Sequence, residues 1–522
     1  MTRPLLTGDP TPPAGRTLTK RQLWFVFAGL MAGMFLAALD QTIVATALPT
    51  IVGELGGLNH LSWVVTSYLL ASTVSTPLWG KLGDLYGRKL FFQSAIIIFL
   101  VGSALSGAAQ NLDELILFRA IQGLGAGGLI VGAQAIIGAV VSPRERGRYM
   151  GLMGSVFAVA SVAGPLVGGF FTEHLTWRWV FYINLPVGVL ALAIVATALP
   201  SREQHVKHSI DYAGATVLGA GVTSLILALT WGGNTYAWGS GVILGLLFAA
   251  VALVALFIVI ERLVPEPLIP LQLFRMPVFR VASMAGAIVG FSMFGAITFL
   301  PLFLQTVHGA GATSSGLQMI PIMAAMLTMS IWSGRRISQT GRYRAYPIAG
   351  TIIMTTGIYL LSHLSITTPY WTAAIFMALV GAGLGRTMQV MVLSVQNSVT
   401  FKELGTATSA ATFFRSIGGS VGVAVFGTIF ANRFAAALPS QLRQAGKAST
   451  HFTPAQLKAL KHTDPTAYAQ YLHAFGHALH IVFLAAVPFA ALGIVLALML
   501  REVPLRRTTG RGAGMDAAGS QA

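Results

Sequence analysis

Four charged residues stand where a chain has least reason to place them. Asp40 lies in LAALDQTIVATALP (36–49), inside an apolar segment from Trp24 to Thr46 that has no other charge. Arg119 lies in LILFRAIQGLGAGG (115–128), and Arg386 and Arg415 lie in two later apolar segments. A charge at the centre of a membrane helix costs about 2.5–3.5 kcal/mol on insertion scales, so such groups face protein or a water-filled cavity and mark ion or substrate paths. A carboxylate set between a desolvating environment and a guanidinium is pulled two ways in its affinity for a proton. It can change protonation as its cavity opens to one side or the other. Asp40 is therefore expected to carry a proton and Arg119 to control its release, the alternative being a permanent salt bridge that fixes two helices. Asp40 is the sole carboxylate expected at membrane depth, since Glu261 falls at a segment end. His480 is a second titratable candidate, placed near an outer end.

The elements that must hold these residues are membrane helices. Of 522 residues 55% are hydrophobic and 9% charged, against about 25% charged in a soluble domain. Apolar runs long enough to cross a core of about 30 Å recur from Trp24 to Leu500. The reading is an all-α polytopic membrane protein with fourteen spans. The chain has no Cys, which excludes disulfides, thiolate metal sites and cysteine catalysis. The net charge of +17 does not imply nucleic acid. Of the 33 Lys and Arg, 24 fall in the termini and the even-numbered connections, so by the positive-inside rule both termini are cytoplasmic. On that orientation Asp40 is about six residues from the outer end of its span and Arg119 about four from its own. Both then lie roughly 6–9 Å below one surface and can face each other.

An internal repeat divides the chain. GKLGDLYGRKL (80–90) and GRRISQTGRYR (334–344) match at Gly80, Gly87 and Arg88 against Gly334, Gly341 and Arg342, with Ser338 where the first copy has Asp84. Paired halves of this kind are a transporter signature, with the site near the midplane between them. The expected organisation is a cytoplasmic tail at 1–23 and a six-helix bundle at 24–199. A linker with two extra membrane helices follows at 200–278. A second six-helix bundle covers 279–500, including an external loop at 432–477, and a cytoplasmic tail covers 501–522. In the first loop Gly80, Gly83 and Gly87 allow tight turning and close helix approach. Asp84 can face the positive N-terminus of a neighbouring helix, and Arg88 and Lys89 can anchor at head groups. The loop reads as a latch that makes and breaks, or more simply as a basic turn.

In the fifth span Gly154, Gly164, Pro165, Gly168 and Gly169 clear one stretch of side chains, and Pro165 breaks its backbone ladder. That suits close packing which gates access. Arg386 and Arg415 share a depth in the second half, with Gln389 one turn from Arg386; they read as a site for an acceptor-rich part of a substrate, or as structural bonds to helix carbonyls. Trp63, Trp79, Phe294, Met319 and Met388 could line an adaptable pocket, though packing is the simpler role for each. GLGAGG (123–128) lies within a span and follows no strand, so it is not a nucleotide loop.

These motifs together resemble the major facilitator superfamily, and within it the fourteen-helix drug:proton antiporter family. LDQTIVATALP (39–49), GKLGDLYGRK (80–89), LILFRAIQGLGAGG (115–128), GSVFAVASVAGPLVGG (154–169) and WRWVFYINLPVG (177–188) carry the resemblance in order. It implies a major facilitator fold, proton coupling at the Asp40 and Arg119 positions, and export associated with the helix-five motif. The expected function is a multi-pass efflux antiporter in the plasma membrane of a bacterium, exporting small amphipathic drugs or antibiotics. It would be driven by the proton gradient with no cofactor, and monomeric in the lipid bilayer. The rivals are a proton-coupled importer and a non-transporting scaffold or receptor. No nucleophile–base or metal constellation suggests an enzyme.

Overall fold

The computed structural model describes residues 19–55, 61–199, 210–233, 235–310, 312–438 and 460–505. The expectations for the tails at 1–18 and 506–522, for most of the loop at 439–459, and for the side chain of Phe294 lie outside the described residues. The described residues are helical, with one isolated bridge between Gly232 and Tyr236. In chain order the helices are α1 (Lys20–Leu55), α2 (Leu61–Tyr86), α3 (Arg88–Ala108), α4 (Leu112–Val140), α5 (Pro143–His174), α6 (Trp179–Tyr182), α7 (Asn184–Ala198), α8 (Tyr212–Trp231), α9 (Gly241–Leu263), α10 (Pro277–Thr306), α11 (Ala312–Gln318), α12 (Ile320–Thr340), α13 (Ala345–Ser362), α14 (Tyr370–Ser398), α15 (Leu404–Ala437) and α16 (Pro465–Met499).

Local chemistry sets many of the ends. Asn111 accepts from the Glu114 amide at 2.8 Å while Glu114 accepts from Asn111 at 2.9 Å, a reciprocal cap at the start of α4. Asp211 caps α8 through Gly214, and Asp464 caps α16 through Ala467 just before Pro465. The repeat glycines have a shared backbone reason. Gly87 (φ 107°) joins α2 to α3 and Gly341 (φ 75°) closes α12, in a region that side chains beyond glycine rarely enter. Two expected spans are each broken. The span at 178–199 divides at Ile183 into α6 and α7, because Pro186 has no N–H for the Tyr182 carbonyl four residues back. The span at 316–336 divides at Met319 in the same way, with Pro321 opposite Leu317.

Twelve helical segments among the described residues are long and apolar enough to cross a membrane. The two expected spans that fall short are α2 and α12, each the helix that leads into a repeat loop. Each lies against the other half of the molecule, α2 along α15 and α12 along α5. Within the first half α4 packs on α2 and α3, and α1 on α5 and α7. Within the second, α10 packs on α15 and α16, and α14 on α12 and α13. The pair α8 and α9 pack on each other, with α8 touching α2 and α15. The helix α16 starts at Pro465, 13 residues before the expected span at 478, so about 20 Å of it precedes that segment.

Helix contact runs through glycine, as expected where apolar packing rather than water drives association. A Cβ on Gly125 of α4 would lie 2.5 Å from the Phe99 amide nitrogen and 2.6 Å from the Ala95 carbonyl of α3. Gly245 on α9 has nothing within 4 Å. Gly125→Val is therefore expected to destabilise the purified protein by about 1–3 kcal/mol or more through overpacking. Gly245→Val is expected to leave the melting temperature unchanged. Thermal unfolding of the two variants side by side tests this, and equal melting temperatures would contradict it.

Candidate functional site

The structure brings Asp40 and Arg119 together. Asp40 is fully buried on α1 and Arg119 is 1% exposed on α4. Arg119 Nη1 donates to Asp40 Oδ2 at 2.5 Å. Three residues that the sequence reading missed complete the cluster. Gln122 Nε2 donates to Asp40 Oδ1 at 2.8 Å, and its own Oε1 accepts from Arg119 at 2.8 Å. Asn184, the first residue of α7, donates to the same Oδ1 at 3.3 Å and to Ser103 Oγ at 3.0 Å. Tyr68 of α2 lies under the guanidinium, 4.1 Å from ring centroid to Cζ, and its hydroxyl donates to the Ala37 carbonyl. Arg119 Nε reaches the Val64 carbonyl at 3.3 Å.

Five helices thus meet at one carboxylate. Its two oxygens receive three side-chain donors, which is how a charge can be stable there. One atom in the cluster is unsatisfied. Asn184 Oδ1 is buried with no hydrogen-bond partner, an acceptor beside a carboxyl that would become a donor on protonation. The break between α6 and α7 places Asn184 there, so Pro186 has a role beyond ending a helix. Gln122, one turn from Arg119, and Asn184, a polar residue in an apolar run, were the available signals for both.

At the end of the molecule that carries the repeat loops, the two halves are joined. Asp84 Oδ1 accepts from the Gly405 amide at 3.0 Å, and Oδ2 accepts from the Thr406 amide at 2.7 Å and its hydroxyl at 3.1 Å. These amides belong to the first turn of α15, where the helix dipole favours an anion. Arg88 Nη2 donates to Asp84 at 2.7 Å and to the Phe401 carbonyl at 2.9 Å, and the guanidinium stacks on the Phe401 ring. Burial pushes the Asp84 carboxyl above its usual range, with Arg88 and the two amides opposing. Gly80 faces Ser409 and the Gly405 carbonyl so closely that no Cβ fits. Lys89 does not join this contact; its Nζ donates to the Ala196 and Leu199 carbonyls at the end of α7.

The second repeat makes the matching contact without a carboxylate. Ser338 Oγ accepts from the Arg148 amide at 3.0 Å on α5, while Arg144 donates to the Ser338 and Gln339 carbonyls. A further bond joins the halves where Gln396 Nε2 of α14 donates to the Gln134 carbonyl of α4 at 3.1 Å.

The glycines of α5 divide between two partners. Gly154, with Gly147 and Gly151, lies against Ser330 and Gly334 of α12 in the other half. Gly164 and Gly168 meet Thr42 and Thr46 of α1, and Thr42 donates to the Ala160 carbonyl at 2.9 Å. Pro165 faces Gly316 of α11, and the half-buried Gly169 offers its carbonyl to Thr172.

The structure does not bring Arg386, Gln389 and Arg415 into one cluster. Arg386 stacks on Trp332, 5.2 Å from the ring centroid. Gln389 is buried beside Gly154, with its Oε1 unpartnered. Arg415 lines a cleft between α10, α14 and α15, together with Thr387 and Met388. His480 bonds the Ser362 carbonyl at the end of α13.

The sequence profile of the Major Facilitator Superfamily matches residues 30–423. An uncharacterised MFS-type transporter of Mycobacterium tuberculosis is 44% identical over 92% of this chain and 70% of its own length. The multidrug transporter protein MdtP of Bacillus subtilis is 39% identical over 93% of this chain and 94% of its own. Among solved structures, the proton:xylose symporter XylE superposes with a TM-score of 0.61, covering 95% of this chain and 99% of that one, at 14% identity. The last likeness concerns the fold; the first three concern ancestry. The chain belongs to the Major Facilitator Superfamily and is a membrane-spanning transporter.

Proposed function

We propose that this transporter exports small amphipathic drugs or antibiotics across a bacterial plasma membrane in exchange for protons. In this reading α2 and α12 also cross the bilayer, giving fourteen spans, and the end with the repeat loops and both termini is cytoplasmic. The observation that carries the proposal is the buried Asp40 on α1, held by Arg119 and Gln122 of α4 and by Asn184 of α7. The name of the B. subtilis relative supports transport of drugs.

The proposed cycle uses the state of that carboxylate. A proton reaching Asp40 from outside removes the charge that Arg119 holds. The new O–H then finds an acceptor in Asn184 Oδ1, and the guanidinium keeps Gln122 and the Val64 carbonyl. The bonds tying α1 to α4 weaken, and the halves are freer to part at the cytoplasmic end. Release of the proton inward restores the ion pair. One charge crossing 100 mV supplies about 2.3 kcal/mol, so the gradient is a sufficient drive and no cofactor is required.

Two measurements follow. Inverted vesicles loaded with protons and challenged with a panel of antibiotics and dyes should release protons with the native chain. Asp40→Asn should reduce that release by roughly tenfold or more, as expected when the only ionisable group of a relay is removed. Equal release from both would remove Asp40 from coupling. The second concerns the Asp84 contact. The chain has no native cysteine, so Ser409→Cys places a single thiol beside Gly80. Adding Asp84→Asn should speed its labelling by a membrane-impermeant maleimide from the cytoplasmic side by roughly tenfold, the size of a lost charge-assisted bond. An unchanged rate would show that this contact does not restrain opening.

A further inference from the structure

Among the described residues, the second half of the molecule holds a guanidinium, Arg415, with no carboxylate partner. There is no Asp or Glu between Glu266 and Glu403, and none between Asp464 and Glu502. Along its own helix the carboxylate nearest in sequence to Arg415 is Glu403, twelve residues away, or about 18 Å. Among the described residues Arg119 has its aspartate and Arg386 its indole. Arg415 makes no hydrogen bond, ion pair or ring contact with the described residues. An intramembrane guanidinium normally finds an acceptor, because an unpaired one is costly.

The surroundings are shaped for a ligand. Gly286 and Gly290 of α10 lie against the stem of Arg415, its Cβ 4.0 Å from a Cβ built on Gly286 and its Cγ 3.2 Å from one built on Gly290. The cleft beside them holds about 20 Å³ of free volume, room for about one water, so a larger ligand enters as its helices part. Met388, Met391, Val392 and Val289 line it, two of them thioethers that adapt to varied apolar shapes. Two hydroxyls on the flanking helices are also unspent. Ser283, one turn before Gly286, and Thr412, one turn before Arg415, are 3% and 5% exposed, and neither oxygen has a partner. Thr387, by contrast, already donates to the Gly383 carbonyl.

We propose that this cleft receives the carboxylate of an amphipathic monoanion, gripped by Arg415, with the apolar body against Met388, Met391 and Val392. The assignment rests on the exporter reading and narrows its substrates to weak organic acids in their ionised form. A planar guanidinium offers two parallel N–H donors that match a carboxylate and no neutral group as well. The Ser283 and Thr412 hydroxyls can supply further donors. Arg415 retains its charge throughout, so the ligand rather than the protein carries the neutralising anion in and out of the cleft.

Binding to the purified full-length protein in detergent tests this, without a membrane or gradient. A failed proton-release experiment and a failed binding experiment are therefore distinguishable. The probes are 2-naphthoate and its neutral isostere 2-naphthamide, titrated by calorimetry in low-salt buffer, with chloride titrated alone as a third arm. The native chain should bind naphthoate at least about tenfold more tightly than naphthamide, the range of a charge-assisted pair. Arg415→Gln should erase the preference and leave naphthamide binding unchanged. Arg415→Lys should keep part of it, and Ser283→Ala with Thr412→Val should reduce naphthoate affinity several-fold. Equal affinities in the native chain, or a full preference in Arg415→Gln, would overturn the proposal. So would chloride binding as tightly as naphthoate, which would mean a bare small-anion site. If Arg415→Gln fails to fold, a full preference in both Arg415→Lys and the double hydroxyl variant overturns it equally.

Discussion

A polar group removed from water must find its partner inside the protein, and that constraint shapes this molecule throughout. Asp40 shows it in the strongest form. The carboxylate draws Arg119 and Gln122 from α4 and Asn184 from α7, and Arg119 draws Tyr68 and the Val64 carbonyl from α2. The first bundle is organised around that demand. The bonds that make the carboxylate tolerable are also the ones that tie α1 to α4 and α7.

The constraint also governs the helix ends. Where backbone amides and carbonyls are left over, charged side chains reach them from neighbouring elements. Asp84 serves the first turn of α15, Lys89 the last turn of α7, and Arg178 the Gly107 and Ala109 carbonyls at the end of α3. At the end of α16, Glu502 accepts from the Tyr343 amide, and Asn397 donates to the Val503 and Pro504 carbonyls. At the end with the repeat loops Arg88, Lys89 and Arg144 are likewise spent on backbone carbonyls, so basic charge there helps to close helix ends.

Depth was legible in the sequence and direction was not. Counting residues from the ends of two apolar segments sufficed to bring Asp40 and Arg119 to one level, because a helix rises a fixed distance per residue. The same count put Arg386 and Arg415 level, yet one stacks on Trp332 and the other lines a cleft. Equal height says nothing about which face of a helix a residue occupies when most faces are apolar. The helical class and the paired loops were similarly plain from composition and repetition. The breaks at Ile183 and Met319 followed from Pro186 and Pro321, residues visible in the sequence but overlooked inside long apolar runs. The two-sided use of glycine on α5 needed the neighbours in α1 and α12, which a linear pattern does not supply.

The two repeat loops differ in one residue, and the difference gives the molecule a handedness of motion. The Asp84 side is fastened by a carboxyl group against the first turn of α15, while the Ser338 side is held by a hydroxyl and the Arg144 guanidinium beside a seam of glycines, Gly147 and Gly151 against Gly334 and Ser330. A seam of bare backbones resists separation but permits rotation, since no long side chains interlock across it. Such a pair behaves as a door with a bolt on one edge and a pivot on the other. Were the bolt drawn, halves pivoting about the line of α5 and α12 would part first between α2 and α15. Such an opening would be a wedge rather than an iris, with the α2–α15 wall at its mouth.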